Sequence, residues 1–211
     1  MRNHEQSIAR AVKEYIELHP TGEPFATSEL LGLGTRAAID QALSRMTKVG
    51  ILERVTSGLY VRPRVSKYVG KAMPTPEQVV RAASRSTGSV VEVHGAEAAR
   101  EFGLSTQVPV QPMFITSGRS RVIKYGEVTI VLRHAAPRHM LFAGRPAGRA
   151  FAALLYLGKD EVTGEVIETI RRRLPAIEFE LLTSSRSMMP AWLSDAFYSY
   201  ATAQENWLAV A

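Results

Sequence analysis

Along the N-terminal part of the chain the spacing of apolar residues changes repeatedly, and each change predicts an element. Ile8, Ala11, Val12, Tyr15, Ile16 and Leu18 recur at three- and four-residue intervals. They predict a helix over residues 5–18, ended by His19-Pro20-Thr21-Gly22. A short helix over SELLG follows, with Thr27 or Ser28 as its cap and Gly32 and Gly34 as its breakers. Thr35 caps a second helix whose apolar stripe is Ile39, Ala42, Leu43, Met46 and Val49, and Gly50 is its stop. Residues 51–55 and 59–61 then have strand composition, joined by the turn Thr56-Ser57-Gly58. Phe25 and Ala26 are placed to add a short third strand, and Pro63 blocks continuation of the last one. This order of elements predicts a winged helix-turn-helix over residues 1–66.

Residues 67–76 hold one glycine, two prolines and two lysines without periodicity and read as a linker. Lys67, Tyr68 and Lys71 could still follow a phosphate backbone as an arm. Residues 77–211 read as a second, α+β domain. Its opening helix is capped at Thr75, with Pro76 at the first helical position and Gly88 as its end. Strands follow at 89–93 and 113–116, with a short helix over 96–102 between them. The strands 121–124 and 128–134 form a hairpin turned at Tyr125-Gly126-Glu127. The end of the chain is helical, over residues 146–157, 159–173 and 191–207. The predicted fold is therefore α+β: an N-terminal winged helix-turn-helix, then a mixed α/β C-terminal domain ending in helices.

The polar side of the second N-terminal helix changes this picture from fold to function. Arg36, Ala37, Asp40, Gln41, Ser44, Arg45 and Lys48 recur on one surface. Arginine can fork onto guanine and glutamine can pair with adenine, while serine can reach a base or a phosphate. Arg54, Ser57, Arg62, Arg64 and Lys67, on or after the wing, are candidate phosphate or minor-groove contacts. Ser28 and Thr35, at the two helix starts, complete the candidate DNA-binding set. The bland alternative is a solvated helix of mixed charge, which Asp40 suits, or a winged helix that binds only protein. Basic residues on both reading elements favour DNA.

Charge adds a second candidate surface. The net charge is +6 and the isoelectric point about 9.8, which favours an anionic partner. Residues 1–70 carry 10 basic and 7 acidic side chains, residues 71–158 carry 11 and 5, and residues 159–211 carry 5 and 8. The central region is the most basic, with Arg119, Arg121, Lys124, Arg133, Arg138, Arg145 and Arg149. An alternative function follows: an RNA- or protein-binding module centred on this domain, with the winged helix secondary. There is no cysteine, which excludes disulfides and thiolate sites. No apolar run approaches the roughly 20 residues that span a bilayer, so a soluble, cytoplasmic protein is expected. His4, His19, His94, His134 and His139 lack metal-ligand spacing, and Ser117 and Ser120 lack a matching triad. We expect no metal, no cofactor and no enzymatic activity.

The phrases ALSRMTKVGILERVTSGLYVRP, HGAEAAREFGLSTQVP, FITSGRSRVI, LRHAAPRHM and AGRPAGRAFAALLYLG, in this order after a winged helix, resemble the short AbiEi-type antitoxins of type IV toxin–antitoxin systems. The resemblance runs over residues 5–158. It implies an N-terminal winged helix that represses its own operon by binding inverted repeats in double-stranded DNA; a preformed homodimer and copies that cooperate only on paired half-sites are both compatible with the sequence. It also implies a C-terminal domain that supports antitoxicity. The counterpart is a nucleotidyltransferase-like toxin, opposed without a stable complex. One departure stands out: Val93-His94 occupies the place of the serine, or proline and serine, expected before GAEAA.

Overall fold

The computed structural model describes residues 2–66 and 70–210, with side chains over 7–64 and 70–204. Its elements fall into two compact units, one of residues 1–89 with 123–129 and one of 90–122 with 130–211.

The first unit opens with α1 (Arg2–Leu18), followed by β1 (Pro24–Ala26) and a 3-10 turn over Thr27–Leu33. The short helix expected there is thus tighter than an α-helix, and neither Thr27 nor Ser28 caps it. Instead the Ala26 N–H donates to Glu29 Oε1 at 2.8 Å. Next come α2 (Arg36–Lys48), β2 (Glu53–Thr56) and β3 (Leu59–Val61). Gly50, at φ 77°, occupies the left-handed backbone region that lets the chain leave α2 and turn into β2. The sheet order is β1-β3-β2, all antiparallel, so the third strand read into Phe25 and Ala26 is present. Ile8, Val12 and Ile16 from α1 meet Leu30, Ile39, Leu43, Leu52 and Phe25 in one core.

The expected linker is built differently. Within it β5 (Gly70–Ala72) pairs antiparallel with β4 (Arg64–Ser66), the last residues of the expected winged helix. The next helix, α3 (Pro76–Arg85), packs against β1 and β3 and belongs to the first unit. Its start follows the sequence: Thr75 Oγ1 accepts from Gln78 N, and Gln78 Oε1 accepts from Thr75 N.

In the second unit, β6 (Val91–Val93) leads to α4 (Gly95–Glu101), β7 (Met113–Thr116), and a hairpin of β8 (Arg121–Tyr125) and β9 (Val128–His134) whose tip counts with the first unit. The strand order is β6-β7-β9-β8; β7 runs antiparallel to β6 and parallel to β9. Ile130 and Leu132 are fully buried. Helix α5 (Pro146–Leu157) is buried along most of its length and lies close to α4. That approach depends on Gly95, where a Cβ would come within 2.5 Å of the Ala152 carbonyl oxygen.

The helical end differs from the expectation in two ways. Residues 159–163 form a turn and Thr163, accepting from Val166 N, caps a shorter α6 (Gly164–Arg173). Helix α7 (Ala176–Ser184) was not anticipated, because its apolar residues do not keep to one face: Leu182 is buried and Ile177 exposed. The last helix is α8 (Ala191–Val210). Among the described residues, no helix is long and apolar enough to cross a membrane.

Candidate nucleic-acid interface

Helix α2 presents two faces because its apolar residues recur at helical spacing. Ile39, Ala42 and Leu43 are buried in the core, and Thr35 starts the helix by accepting from Ala38 N at 3.4 Å. The other face is left to solvent: Thr35, Arg36, Ala37, Gln41, Ser44, Arg45 and Lys48 are all exposed. Arg36 Nε donates to Asp40 Oδ2 at 2.9 Å. Val49, expected on the buried stripe, is 71% exposed. The helix closes at this residue, so the stripe ends one turn earlier with Met46.

On the wing, Arg54 and Ser57 are exposed and linked, Arg54 Nη2 donating to Ser57 Oγ at 3.4 Å. A register shift between Arg54 and Thr56 bends this strand beside the turn. Arg62 does other work. Its Nη1 donates to the Glu17 carbonyl at 3.1 Å and its Nη2 to Thr21 Oγ1 at 2.7 Å. Its Nε is buried. The expected phosphate contact is thus a clamp on the end of α1.

Three more candidates leave the reading surface. Ser28 Oγ is buried without a hydrogen-bond partner among the described residues. Arg64 is exposed but begins β4, outside the wing sheet. Lys71, read as part of an arm, is ion-paired with Glu53 of β2 at 2.5 Å. Lys67 and Tyr68 lie outside the described residues.

The second unit divides its basic candidates in the same way. Arg119, Arg121, Arg133 and Arg138 are exposed, as is Lys124 on the hairpin tip of the first unit. Arg145 and Arg149 are structural. Arg145 donates to Glu178 through Nε at 3.2 Å and Nη2 at 2.7 Å, and the same carboxylate accepts from Ala147 N at 3.1 Å. The arginine holds the Glu178 carboxyl below its usual range. Arg149 lies 3.2 Å from Glu101 and 3.6 Å from the buried Glu92. Glu92 and Glu178 escaped the sequence reading, since neither stands near its arginine along the chain. The signal for them is α5 itself, whose N-cap residue is basic and whose first turn has no acidic residue.

Ser120, His134 and His94 have structural partners. His134 N donates to Ser120 Oγ at 2.8 Å, and His134 Nδ1 lies 2.9 Å from the Gly118 carbonyl, closing the turn before β8. His94 Nδ1 accepts from Ala96 N at 3.3 Å and so caps α4, the task a serine would perform there. Among the described residues, no group of three or more His, Cys, Asp or Glu side chains is placed to hold a metal ion.

No curated protein matches the chain. Residues 11–180 match DUF6088, a family of unknown function, and because that match spans most of the chain the protein belongs to this family.

Proposed function

We propose that this protein is a DNA-binding transcriptional autorepressor and the antitoxin of a type IV toxin–antitoxin pair. It works in the cytoplasm on inverted repeats in its own promoter and opposes a nucleotidyltransferase-like toxin without holding it in a stable complex. One observation carries the reading of DNA: Arg36, Gln41, Ser44, Arg45 and Lys48 stand together on the solvent side of α2, with Arg54 and Ser57 on the adjoining wing. A helix of this kind enters the major groove and a wing holds the backbone beside it. The antitoxin role rests on the resemblance of the sequence phrases. The alternative, an RNA- or protein-binding second domain, loses support because Arg145 and Arg149 are bound to buried carboxylates.

The test is a salt titration with DNA from the protein's own upstream region and with scrambled DNA. Wild type is expected to prefer the former by roughly a thousandfold. An Arg36→Ala/Arg45→Ala variant should lose that preference while keeping its fold, because both side chains are exposed. Equal, steeply salt-dependent binding of wild type to both DNAs would overturn the repressor reading.

A further inference from the structure

We infer that Asp40 is a positioning residue for operator recognition: it holds Arg36 so that the end of the guanidinium is offered to a guanine. This inference rests on the repressor reading above. Arg36 is the first residue of α2 and Asp40 lies one turn later, with Nε donating to Oδ2 at 2.9 Å. Both side chains are open to solvent, at 58% and 47%. The bond uses the side edge of the guanidinium. Among the described residues Nη1 and Nη2 make no hydrogen bond, and those two groups form the fork that matches O6 and N7 of guanine.

The order of the charges argues against a role in helix stability. A helix N-terminus carries partial positive charge, so acidic residues belong in the first turn and an acid belongs before its basic partner. Helices α3, α4 and α6 follow this rule, with Glu77, Glu97 and Glu165 in their first turns. On α3 and α6 the acid also precedes its arginine, in Glu77–Arg81 and Glu168–Arg171. Where Arg145 stands at the start of α5, buried Glu178 reaches it from another helix. Helix α1 also sets base before acid, in Arg10–Glu14 and Lys13–Glu17, but beyond its first turn; helix α2 does so at its positive end, with no acid in its first turn, an arginine first and Asp40 behind it. An arginine placed first on the reading helix, where the helix end disfavours a cation, is what a ligand contact leaves behind.

Asp40 also acts on the alternative. Its negative charge weakens attraction to phosphates of any sequence, so Arg36 contributes less to random DNA than an unpaired arginine does. No partner fixes Arg45 or Lys48 among the described residues, which leaves those two free to follow the backbone. On this basis Arg36, rather than Arg45, carries the main base contact.

The experiment titrates upstream and scrambled DNA with full-length wild type, Asp40→Ala, Asp40→Asn, Arg36→Ala and Arg36→Ala/Asp40→Ala. A wild-type ratio near one overturns the repressor reading, and this inference with it. Given a high wild-type ratio, Asp40→Ala should bind scrambled DNA more tightly, because a negative charge has left the interface, yet lower the ratio by about tenfold. Adding Asp40→Ala to Arg36→Ala should leave the ratio unchanged, since the arginine it positions is gone. Asp40→Asn keeps an oxygen for Nε and should retain most of the ratio. Tighter binding to both DNAs by one common factor in Asp40→Ala would make Asp40 a repulsive charge only and overturn the positioning role.

Discussion

At the scale of the residue, arginines of the same apparent kind divide by what they touch. Among the described residues Arg54 reaches only Ser57, at the long distance of 3.4 Å on an exposed turn, so a phosphate can take that place. Arg62 makes two hydrogen bonds, one to the Glu17 carbonyl that the end of α1 leaves without a partner and one to Thr21 in the turn that follows. Arg62→Ala is therefore expected to cost about 1–2 kcal/mol, read as a lower denaturant midpoint, with the salt dependence of DNA binding unchanged. Arg54→Ala should do the reverse, leaving the midpoint in place and lowering the slope of log affinity against log salt by about 1. A reduced slope in Arg62→Ala would return that residue to the phosphate contacts. The sequence shows that both are arginines near a wing. It does not show Glu17 and Thr21, which lie 45 and 41 residues from Arg62 and meet it only through the fold.

At the scale of the element, what the sequence revealed was local. The caps Thr35 and Thr75 and the stop Gly50 act within a few residues and were readable as such. Helix α7 was not, because its apolar residues lack a stripe, and β5, the partner of β4, was hidden in a stretch whose glycine and prolines suggested only a linker. His94 lies between these cases: its place was noticed, its task was not. It caps α4 through Nδ1, which accepts only while the ring is neutral. Burial, and then the charge of Arg133, lower its pKa from 6.5. The unfolded chain thus takes up the proton more readily than the folded one. The contribution is fully present above the unfolded value and is lost as pH falls from there toward the lower folded value. His94→Ser keeps an acceptor at the cap but does not titrate. Its unfolding free energy should change less than wild type between about pH 5 and pH 7, with similar stability at the upper end. Parallel pH profiles for the two proteins would show that the ring does not contribute this way.

At the scale of the whole molecule, the division of the chain is set by packing across long intervals rather than by the composition of residues 67–76. Helix α3 lies beyond that stretch, yet it packs against β1 and β3, and its Arg85 donates to the Pro24 carbonyl at 3.0 Å. Arg85 also lies 3.7 Å from Glu29, the carboxylate that takes the Ala26 N–H. Val79 and Val80 are fully buried, and burying a valine is worth about 1.5–3 kcal/mol. For a small domain that is a large share of a net stability of roughly 5–15 kcal/mol. A fragment of residues 1–89 is therefore expected to unfold cooperatively, and at a clearly higher urea concentration than a fragment of residues 1–75. Both fragments lack Tyr125, whose hydroxyl donates to the Pro74 carbonyl, so that loss cancels in the comparison. Coincident midpoints would mean that α3 adds nothing to the winged helix and would return the boundary to residues 67–76.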